Sequence, residues 1–438
     1  MTAKEKRELK MKVKFITLGC KTNIYESEAM AQLFEEKGYE VITKGVADIC
    51  VVNTCTVTGT GAAKSLKMIR RARRENEEGC LAVAGCLAQT EAEELLNKEK
   101  IDVIIGNKYR CDIVELCEKA LNDEKICKIE EARNIKKYEE LGIVHRQRRI
   151  RAEIKIEDGC NNFCTYCKIP YARGPVRSRD IEMIKKEAEV LKNDGYSEIV
   201  LTGIHIGSYG KDLDDNIGLI DVIEAVCKTA PDVRVRLGSL EPVMITEEFV
   251  KRAAVLENLC PQFHLSLQSG CDKTLKAMNR HYNTEDFRNA VKNLRSVFKD
   301  CAITTDLIVG FPGETDEDFE ISRAFCQEIS FAQMHIFPYS VREGTAAAKL
   351  SGRVEETVKT ERTHIMLESA KEMKRHFCET FIGKEAEVLF EQEKDGIWSG
   401  MTANYIEVRK SSEKDLRGVC AKVVFSEYNS EGEFLIAE

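Results

Sequence analysis

The sequence predicts an α/β chain in three parts: a small parallel α/β domain at 11–125, a partial (β/α)6 barrel at 151–378, and a small antiparallel β-barrel at 379–438. A basic linker at 126–150 joins the first two. Three observations predict this. Short apolar runs alternate with helically spaced segments in the first third, the alternation recurs through the middle, and the tail changes to an apolar–polar period of two punctuated by glycine.

In the first third, Lys12 to Gly19 reads as a strand and Glu26 to Lys37 as the helix after it, stopped by Gly38. Ile49 to Thr54 is a second buried strand, Ala62 to Arg74 a second helix, and Leu81 to Gly85 a third strand. Cys20, Cys55 and Cys86 each fall at or just beyond a strand's C-terminal end, the edge where open α/β sheets hold ligands. Convergence alone does not separate a second three-cysteine cluster site from three coincidental core thiols. Cys50, inside its strand, and Cys80, at the start of the next, are left out.

Asn107 to Gly142 reads as helical and charged, with Cys111, Cys117 and Cys127 as packing residues. The run His145-Arg146-Gln147-Arg148-Arg149-Ile150-Arg151 follows. It suits either a solvated linker or a hinge that touches phosphates, and Arg70, Arg71, Arg73 and Arg74 would extend a positive surface.

The middle opens on the alternating run Ala152 to Ile156 and then Glu157-Asp158-Gly159-Cys160-Asn161-Asn162-Phe163-Cys164-Thr165-Tyr166-Cys167, three cysteines spaced C-x3-C-x2-C. Thiolates suit iron–sulfur clusters and zinc. Three ligands leave one iron of a cubane open, and an open position is where a reactive metal site takes its substrate. The competing readings are a zinc knuckle short of a ligand and cysteines that only fill a core. Helices at Asp180 to Asn193, Ile217 to Lys228, Thr246 to Leu256, Thr284 to Val297 and Asp316 to Ile329 precede strands at Glu198 to Thr202, Val233 to Gly238, Gln262 to Gln268, Ala302 to Val309 and Gln333 to Tyr339. With the strand before Cys160 these make six β/α units, whose strands should present the site at their C-terminal ends. Gly203, Glu241, Ser266, Gln268, Asp306 and Gly310 stand at or near those ends; His205 is given no role. The run Arg173-Gly174-Pro175-Val176-Arg177-Ser178-Arg179 offers guanidinium groups suited to phosphate or carboxylate.

Composition narrows the class. The net charge of -8 excludes a globally basic nucleic-acid binder, so RNA would have to be met by local patches. Eighteen cysteines are spread along the chain rather than set in a compact secreted framework. Lys4 to Lys14 is too charged for a signal peptide, and no uncharged apolar run reaches the length of a membrane span. The expectation is a reducing, cytoplasmic enzyme.

The C-x3-C-x2-C loop resembles the signature of radical S-adenosylmethionine (SAM) enzymes. Leu18-Gly19-Cys20-Lys21-Thr22-Asn23-Ile24-Tyr25-Glu26-Ser27-Glu28, Asn53-Thr54-Cys55-Thr56-Val57-Thr58 and Gly85-Cys86-Leu87-Ala88-Gln89 resemble the three cysteine motifs of the methylthiotransferases among them. The flanking residues are most similar to the branch acting on N6-threonylcarbamoyladenosine in tRNA. The resemblance covers nearly the whole chain and implies a 4Fe–4S cluster on Cys160, Cys164 and Cys167 whose open iron chelates SAM. It implies a second, auxiliary 4Fe–4S cluster on Cys20, Cys55 and Cys86. One SAM would methylate sulfur held at the auxiliary cluster; another would yield the 5′-deoxyadenosyl radical that activates carbon 2 of the adenosine at position 37, beside the anticodon.

By the same resemblance Tyr166 would lie against the adenine of SAM, the strand end at Gly203 would meet SAM, and Glu241, Ser266 and Gln268 would hydrogen-bond its ribose and methionine portions. The segment carrying Asp306 and Gly310 would pack against the adenine. The tail resembles the TRAM domain, an RNA-binding module, in which Phe390, Trp398 or Tyr405 would stack on bases. Acids outnumber bases there, so shape and stacking should carry its contacts. The implied partners are the tRNA anticodon stem-loop, SAM and an electron donor such as flavodoxin or ferredoxin, with no membrane. Alternatives are methylthiolation of isopentenyladenosine in tRNA, methylthiolation of a ribosomal-protein aspartate, and a non-enzymatic iron–sulfur RNA-binding sensor.

Overall fold

The structure, a computed structural model, describes residues 10–56, 59–144 and 150–438. Most of the basic run, His145 to Arg149, and Val57 and Thr58 of the second cysteine motif lie outside these residues. The chain forms two compact units. Among described residues the first comprises 10–144, 157–163 and 167–179, and the second 150–156, 164–166 and 180–438.

The first unit is built on a parallel sheet of β1 (Lys12–Thr17), β2 (Glu40–Ile42), β3 (Ile49–Thr54), β4 (Cys80–Gly85), β5 (Val103–Ile105) and β6 (Ile126–Lys128), in the order β2-β1-β3-β4-β5-β6. Every residue of β3 and β4 is buried, as expected of central parallel strands covered on both faces. Helix α1 (Lys21–Glu36) supplies Met30 and Phe34 to one face, while α2 (Gly59–Glu75) and α3 (Cys86–Lys98) supply Ile69, Ala72, Leu87, Ala88 and Leu95 to the other. Helix α4 (Ile113–Ala120) adds Ile113, Val114 and Cys117 to the first face.

Three expectations need correction here. Helix α1 starts five residues earlier than its apolar spacing suggested, with Cys20 as its N-cap, and α3 opens at Cys86 itself. The stretch 107–142 is α-helical only in α4; single turns stand at Arg110–Asp112 and Ala132–Asn134, and β6 joins the sheet. The charges there serve ion pairs, Glu130 to Lys108 and Glu139 to Arg110, in place of a long helix. Consequently Cys111 and Cys127 are exposed and only Cys117 packs.

In the second unit β7 (Arg151–Lys155), β8 (Glu198–Thr202) and β9 (Arg234–Leu237) form one parallel sheet, and β10 (Gln262–His264), β11 (Ala302–Val309) and β12 (Gln333–Pro338) another. Parallel bridges Val235 to Leu259 and Leu240 to Leu265 join them, so six strands follow one another in chain order as the partial barrel requires. The helices between are α5 (Ile181–Asn193), α6 (Leu219–Thr229), α7 (Glu247–Ala253), α8 (Thr284–Val297) and α9 (Asp316–Ile329). Alternation sorts the strand side chains: Ile199, Leu201, Val235, Leu237, Phe263, Ile303 and Leu307 join the core that α5, α6, α8 and α9 cover, with Ile184, Val222, Phe287 and Phe325. Glu198, Arg236, Gln262, His264, Thr304 and Asp306 take the other positions, so the opposite face is polar.

Helix α10 (Glu356–Glu379) leads into a closed barrel of β13 (Glu385–Lys394), β14 (Ile397–Thr402), β15 (Glu407–Ser411), β16 (Cys420–Asn429) and β17 (Phe434–Ala437). Phe390, Trp398, Val408, Phe425 and Leu435 fill it, so Phe390 and Trp398 are core residues and not a stacking surface. This barrel meets the N-terminal ends of the (β/α)6 strands. Arg236 donates to Ala403 O at 2.9 Å and pairs with Glu198 at 2.8 Å. Arg151 pairs with Glu391, and Arg234 with Glu387 at 2.9 Å. Tyr405 lies under Arg236, its ring centre 4.7 Å away, so it too is engaged within the protein.

Candidate cofactor sites

Adjacent strands β1, β3 and β4 end at one edge, with Thr17 level with Asn53, and Thr54 with Gly85. Cys20, Cys55 and Cys86 leave that edge together. Two asparagines tie it: Asn23 Nδ2 donates to Asn53 Oδ1 at 3.1 Å and to Thr54 O at 3.2 Å, and Asn53 Nδ2 donates to Asn23 O and Ser27 Oγ, both at 3.0 Å. The thiol of Cys20 donates to Asn23 Oδ1 at 3.2 Å. Glycine precedes two of the cysteines for a steric reason. Both Gly19 and Gly85 have positive φ; a Cβ on Gly19 would stand 3.0 Å from Cys55 Cβ, and one on Gly85 only 2.4 Å from Asn53 Oδ1.

Cys86 is buried, which pushes its thiol pKa up; the Arg173 guanidinium opposes this, and nearby Cys20 adds to it. Asn107 Nδ2 donates to Cys86 Sγ at 3.7 Å. Three thiols on one strand edge, a neighbouring cation and an amide N–H aimed at sulfur are a donor set that fits an iron–sulfur cluster. Among the described residues no three Cys, His, Asp or Glu crowd closely enough for a single metal ion. A cluster makes a different demand, since each thiolate takes its own iron.

The first unit also holds the flanks of the C-x3-C-x2-C loop. Cys160 N–H donates to Gly174 O at 3.0 Å, and Ile169 N–H to Cys167 Sγ at 3.4 Å. Phe163 and Tyr171 form an exposed edge-to-face pair, ring centres 5.8 Å apart. The arginines after the loop do not face outward. Arg173 forks onto Glu26 and reaches Asp158, Arg177 pairs with Asp158 at 3.3 Å, and Arg179 pairs with Glu140 at 2.6 Å, the three arginines themselves being buried. They are structural ion pairs and not the phosphate or SAM contacts expected of them. Arg70 and Arg71 pair with Glu99 and Glu75 but stay more than half exposed, and Arg73 pairs with Asp102.

In the second unit Cys164 has a partner that sequence reasoning missed: Arg280 Nη1 lies 3.1 Å from its Sγ. Arg280 Nη2 donates to Glu241 Oε1 at 2.6 Å, Glu241 Oε2 stands 3.0 Å from His205 Nε2, and His205 Nδ1 lies 2.6 Å from Ser208 Oγ. Glu241, the predicted SAM ligand, is thus held by Arg280 and by the histidine given no role. Arg280 lies over the ring of Tyr282, whose hydroxyl donates to the carbonyls of Ser266 and Leu267. Tyr166 packs against Met278, Phe311, Tyr339 and Ala347.

Gln268 adopts φ of 65°, costly for a residue with a side chain, and is pinned by N–H to Asp306 O at 2.9 Å and by Ile308 N–H to its own carbonyl at 2.8 Å. Asp306 Oδ2 stands 3.4 Å from His264 Nε2. Gly310 N–H donates to Glu314 Oε1 at 2.9 Å, and Glu314 pairs with Arg362 of α10. Gly203 follows β8 directly. Nothing periodic marked Arg280, which sits in a short connection between helices, between the polar residues Asn279 and His281.

These geometries meet known proteins at two levels. The radical SAM superfamily model matches residues 154–326, and the model described as uncharacterized protein family UPF0004 matches 12–106. A radical SAM methyltransferase, TsrM, from Kitasatospora setae, solved with cobalamin and a [4Fe-4S] cluster bound, is similar in fold, with a TM-score of 0.58 and 14% identity over 89% of this chain and 81% of that one. The class that the first model names, the radical SAM enzymes, is carried by relatives that match nearly the whole chain. The threonylcarbamoyladenosine tRNA methylthiotransferase MtaB of Bacillus subtilis is 38% identical over 97% of this chain and 96% of its own. MtaB of Thermotoga maritima is 38% identical over 90% of each. A tRNA-2-methylthio-N(6)-dimethylallyladenosine synthase of Alkaliphilus oremlandii is 35% identical over 86% of this chain and 81% of its own. The chain belongs to the radical SAM methylthiotransferase family, an enzyme family that transfers a sulfur-containing group, and that membership implies SAM and a 4Fe–4S cluster.

Proposed function

We propose that this enzyme methylthiolates carbon 2 of N6-threonylcarbamoyladenosine at position 37 of tRNA, beside the anticodon. The observation that carries the reading is the near full-length identity to proteins named for that reaction, joined to three cysteines converging on one strand edge. Two 4Fe–4S clusters are proposed, one on Cys20, Cys55 and Cys86 and one on Cys160, Cys164 and Cys167. A cluster bound there would give SAM an open coordination site and the electron that starts radical chemistry, the route that an aromatic C–H bond resistant to polar substitution requires.

The chain's own residues then have definite tasks. Arg280 places a cation beside Cys164 and orients Glu241, which His205 braces from the other side. Tyr166 presents an aromatic face for the adenine of SAM, and the strand ends at Gly203, Ser266, Gln268, Asp306 and Gly310 form the rest of its cradle. The closed β-barrel is proposed as the TRAM RNA-binding module, touching the tRNA anticodon stem-loop through residues other than Phe390, Trp398 and Tyr405. The enzyme is proposed to work in the cytoplasm with a flavodoxin or ferredoxin as electron donor; no helix among the described residues is long and apolar enough to cross a membrane.

The test is nucleoside analysis of tRNA from a strain lacking the gene. The expected result is loss of the 2-methylthio derivative with accumulation of N6-threonylcarbamoyladenosine, restored by the wild-type gene and not by Cys164→Ala. Loss of the methylthio group from isopentenyladenosine instead would assign the substrate of the Alkaliphilus relative. Unchanged tRNA would overturn the reading.

A further inference from the structure

A buried charge network in the first unit reaches the sulfur of Cys86. Arg173 lies six residues beyond Cys167. Its guanidinium is wholly buried, with Nη1 and Nη2 forked onto Glu26 at 2.7 and 3.1 Å and Nη1 also 3.0 Å from Asp158 Oδ1. Glu26 stands on α1, the helix that Cys20 caps, and its Oε1 is 3.1 Å from Arg110 Nη2. Arg110 pairs with Glu139 and donates to Asn107 Oδ1 at 2.7 Å. Asn107, itself buried, donates from Nδ2 to Ala172 O at 2.8 Å and to Cys86 Sγ at 3.7 Å, which holds the residue before Arg173 beside that sulfur. The network keeps one donor unspent, because the Nε–H of Arg173 is buried without an acceptor among the described residues.

The carboxylates facing this cluster of charges are Glu26, Asp158 and Glu139, and the cations are Arg110, Arg173 and Arg177. The protein charges balance before any cluster is counted. An electron added to a cluster at Cys86 is therefore met by a neighbouring guanidinium and an N–H···S hydrogen bond, both of which favour the more negative, reduced state.

We propose that Asn107 and Arg173 are positioning residues for the auxiliary cluster: Asn107 through its hydrogen bond to the Cys86 sulfur, Arg173 through its buried charge and unspent Nε–H, together raise the cluster's reduction potential. The step is a one-electron reduction by an external donor, with no bond made or broken. The inference rests on the reading that Cys20, Cys55 and Cys86 ligate that cluster.

The experiment uses the full chain carrying Cys160→Ala, Cys164→Ala and Cys167→Ala, so that one cluster remains, and follows its EPR signal through a potentiometric titration with dithionite. Asn107→Leu and Arg173→Met are added singly to this background, and Arg173→Lys as the conservative variant. Both Asn107→Leu and Arg173→Met should shift the midpoint to more negative potential beyond the scatter between parent preparations, and Arg173→Lys should return most of the Arg173→Met shift. Arg173→Met takes one buried cation from Glu26 and Asp158, which keep Arg110 and Arg177; if it fails to fold, the charge-neutral Asn107→Leu decides alone. Midpoints unchanged in folded, cluster-bearing variants would overturn the inference. Absence of any cluster in the parent would overturn the ligand assignment itself, a result recognisable from iron and sulfide content before any titration.

Discussion

Arg280 joins the sulfur of Cys164 to the carboxylate of Glu241 in the second unit. It touches Cys164 and Glu241 at once, and Tyr282 lies beneath it. Groups that orient metal ligands typically cost about 10- to 100-fold in activity when removed. Arg280→Ala should lose SAM cleavage on that order, read as 5′-deoxyadenosine formed under reducing conditions, with Arg280→Lys in between because an ammonium cannot fork between sulfur and carboxylate. Cleavage by Arg280→Ala within twofold of wild type would remove the role. The placement of Cys20, Cys55 and Cys86 at neighbouring strand ends was legible in the sequence because strand ends are local features, though only the resemblance set them apart from other core thiols. Arg280 was not, being 116 residues from its sulfur with nothing local to link them. Arg173 was read as a phosphate or SAM ligand for a related reason. A guanidinium fork fits a carboxylate equally well, and the burial of Glu26, on a distant helix, is not written in the residues around Arg173.

Elements with caps and clear periods stand where the sequence put them. Helices α8 and α9 begin behind capping boxes, Asn283 with Asp286 and Thr315 with Asp318, and both match their expected bounds. The three-residue strands β2, β5 and β6 offered too short a run for a period of two to register. At the seam between the (β/α)6 strands and the closed barrel, burial would raise the Glu198 carboxyl, but Arg236 and then Arg151 outweigh it and hold its pKa below the ordinary value. Glu391 behaves oppositely, burial prevailing over its pairing with Arg151. A depressed carboxyl contributes stability that is fully present above the unfolded carboxylate range, near ~4.3, and is lost as pH falls through its own lower pKa. Trp398, the one tryptophan of the chain, is inside this barrel and reports it directly. Its fluorescence should show the barrel weakening to denaturant as pH drops below that range. Glu198→Gln should cost about 3–5 kcal/mol at neutral pH, as breaking a buried ion pair does, and flatten that acid dependence. An acid profile unchanged by the substitution would show that Glu198 does not govern the seam.

Across the whole molecule, the charge pattern changes how RNA attraction must be understood. Buried carboxylates engage Arg173 and Arg177, whereas Arg70 and Arg71 stay more than half exposed while paired with Glu99 and Glu75. Those two arginines stay open to phosphate, while Phe390, Trp398 and Tyr405 of the barrel are spent on its own core and seam. What unites the chain is two cysteine triads: one delivered by three neighbouring strand ends, the other by one short loop. The most direct test counts clusters. Anaerobically reconstituted wild-type protein should hold two 4Fe–4S clusters per chain by iron, sulfide and EPR, and one after substitution of Cys20, Cys55 and Cys86, or of Cys160, Cys164 and Cys167, by alanine. A wild-type chain holding one cluster, or either triple variant still holding two, would contradict the account.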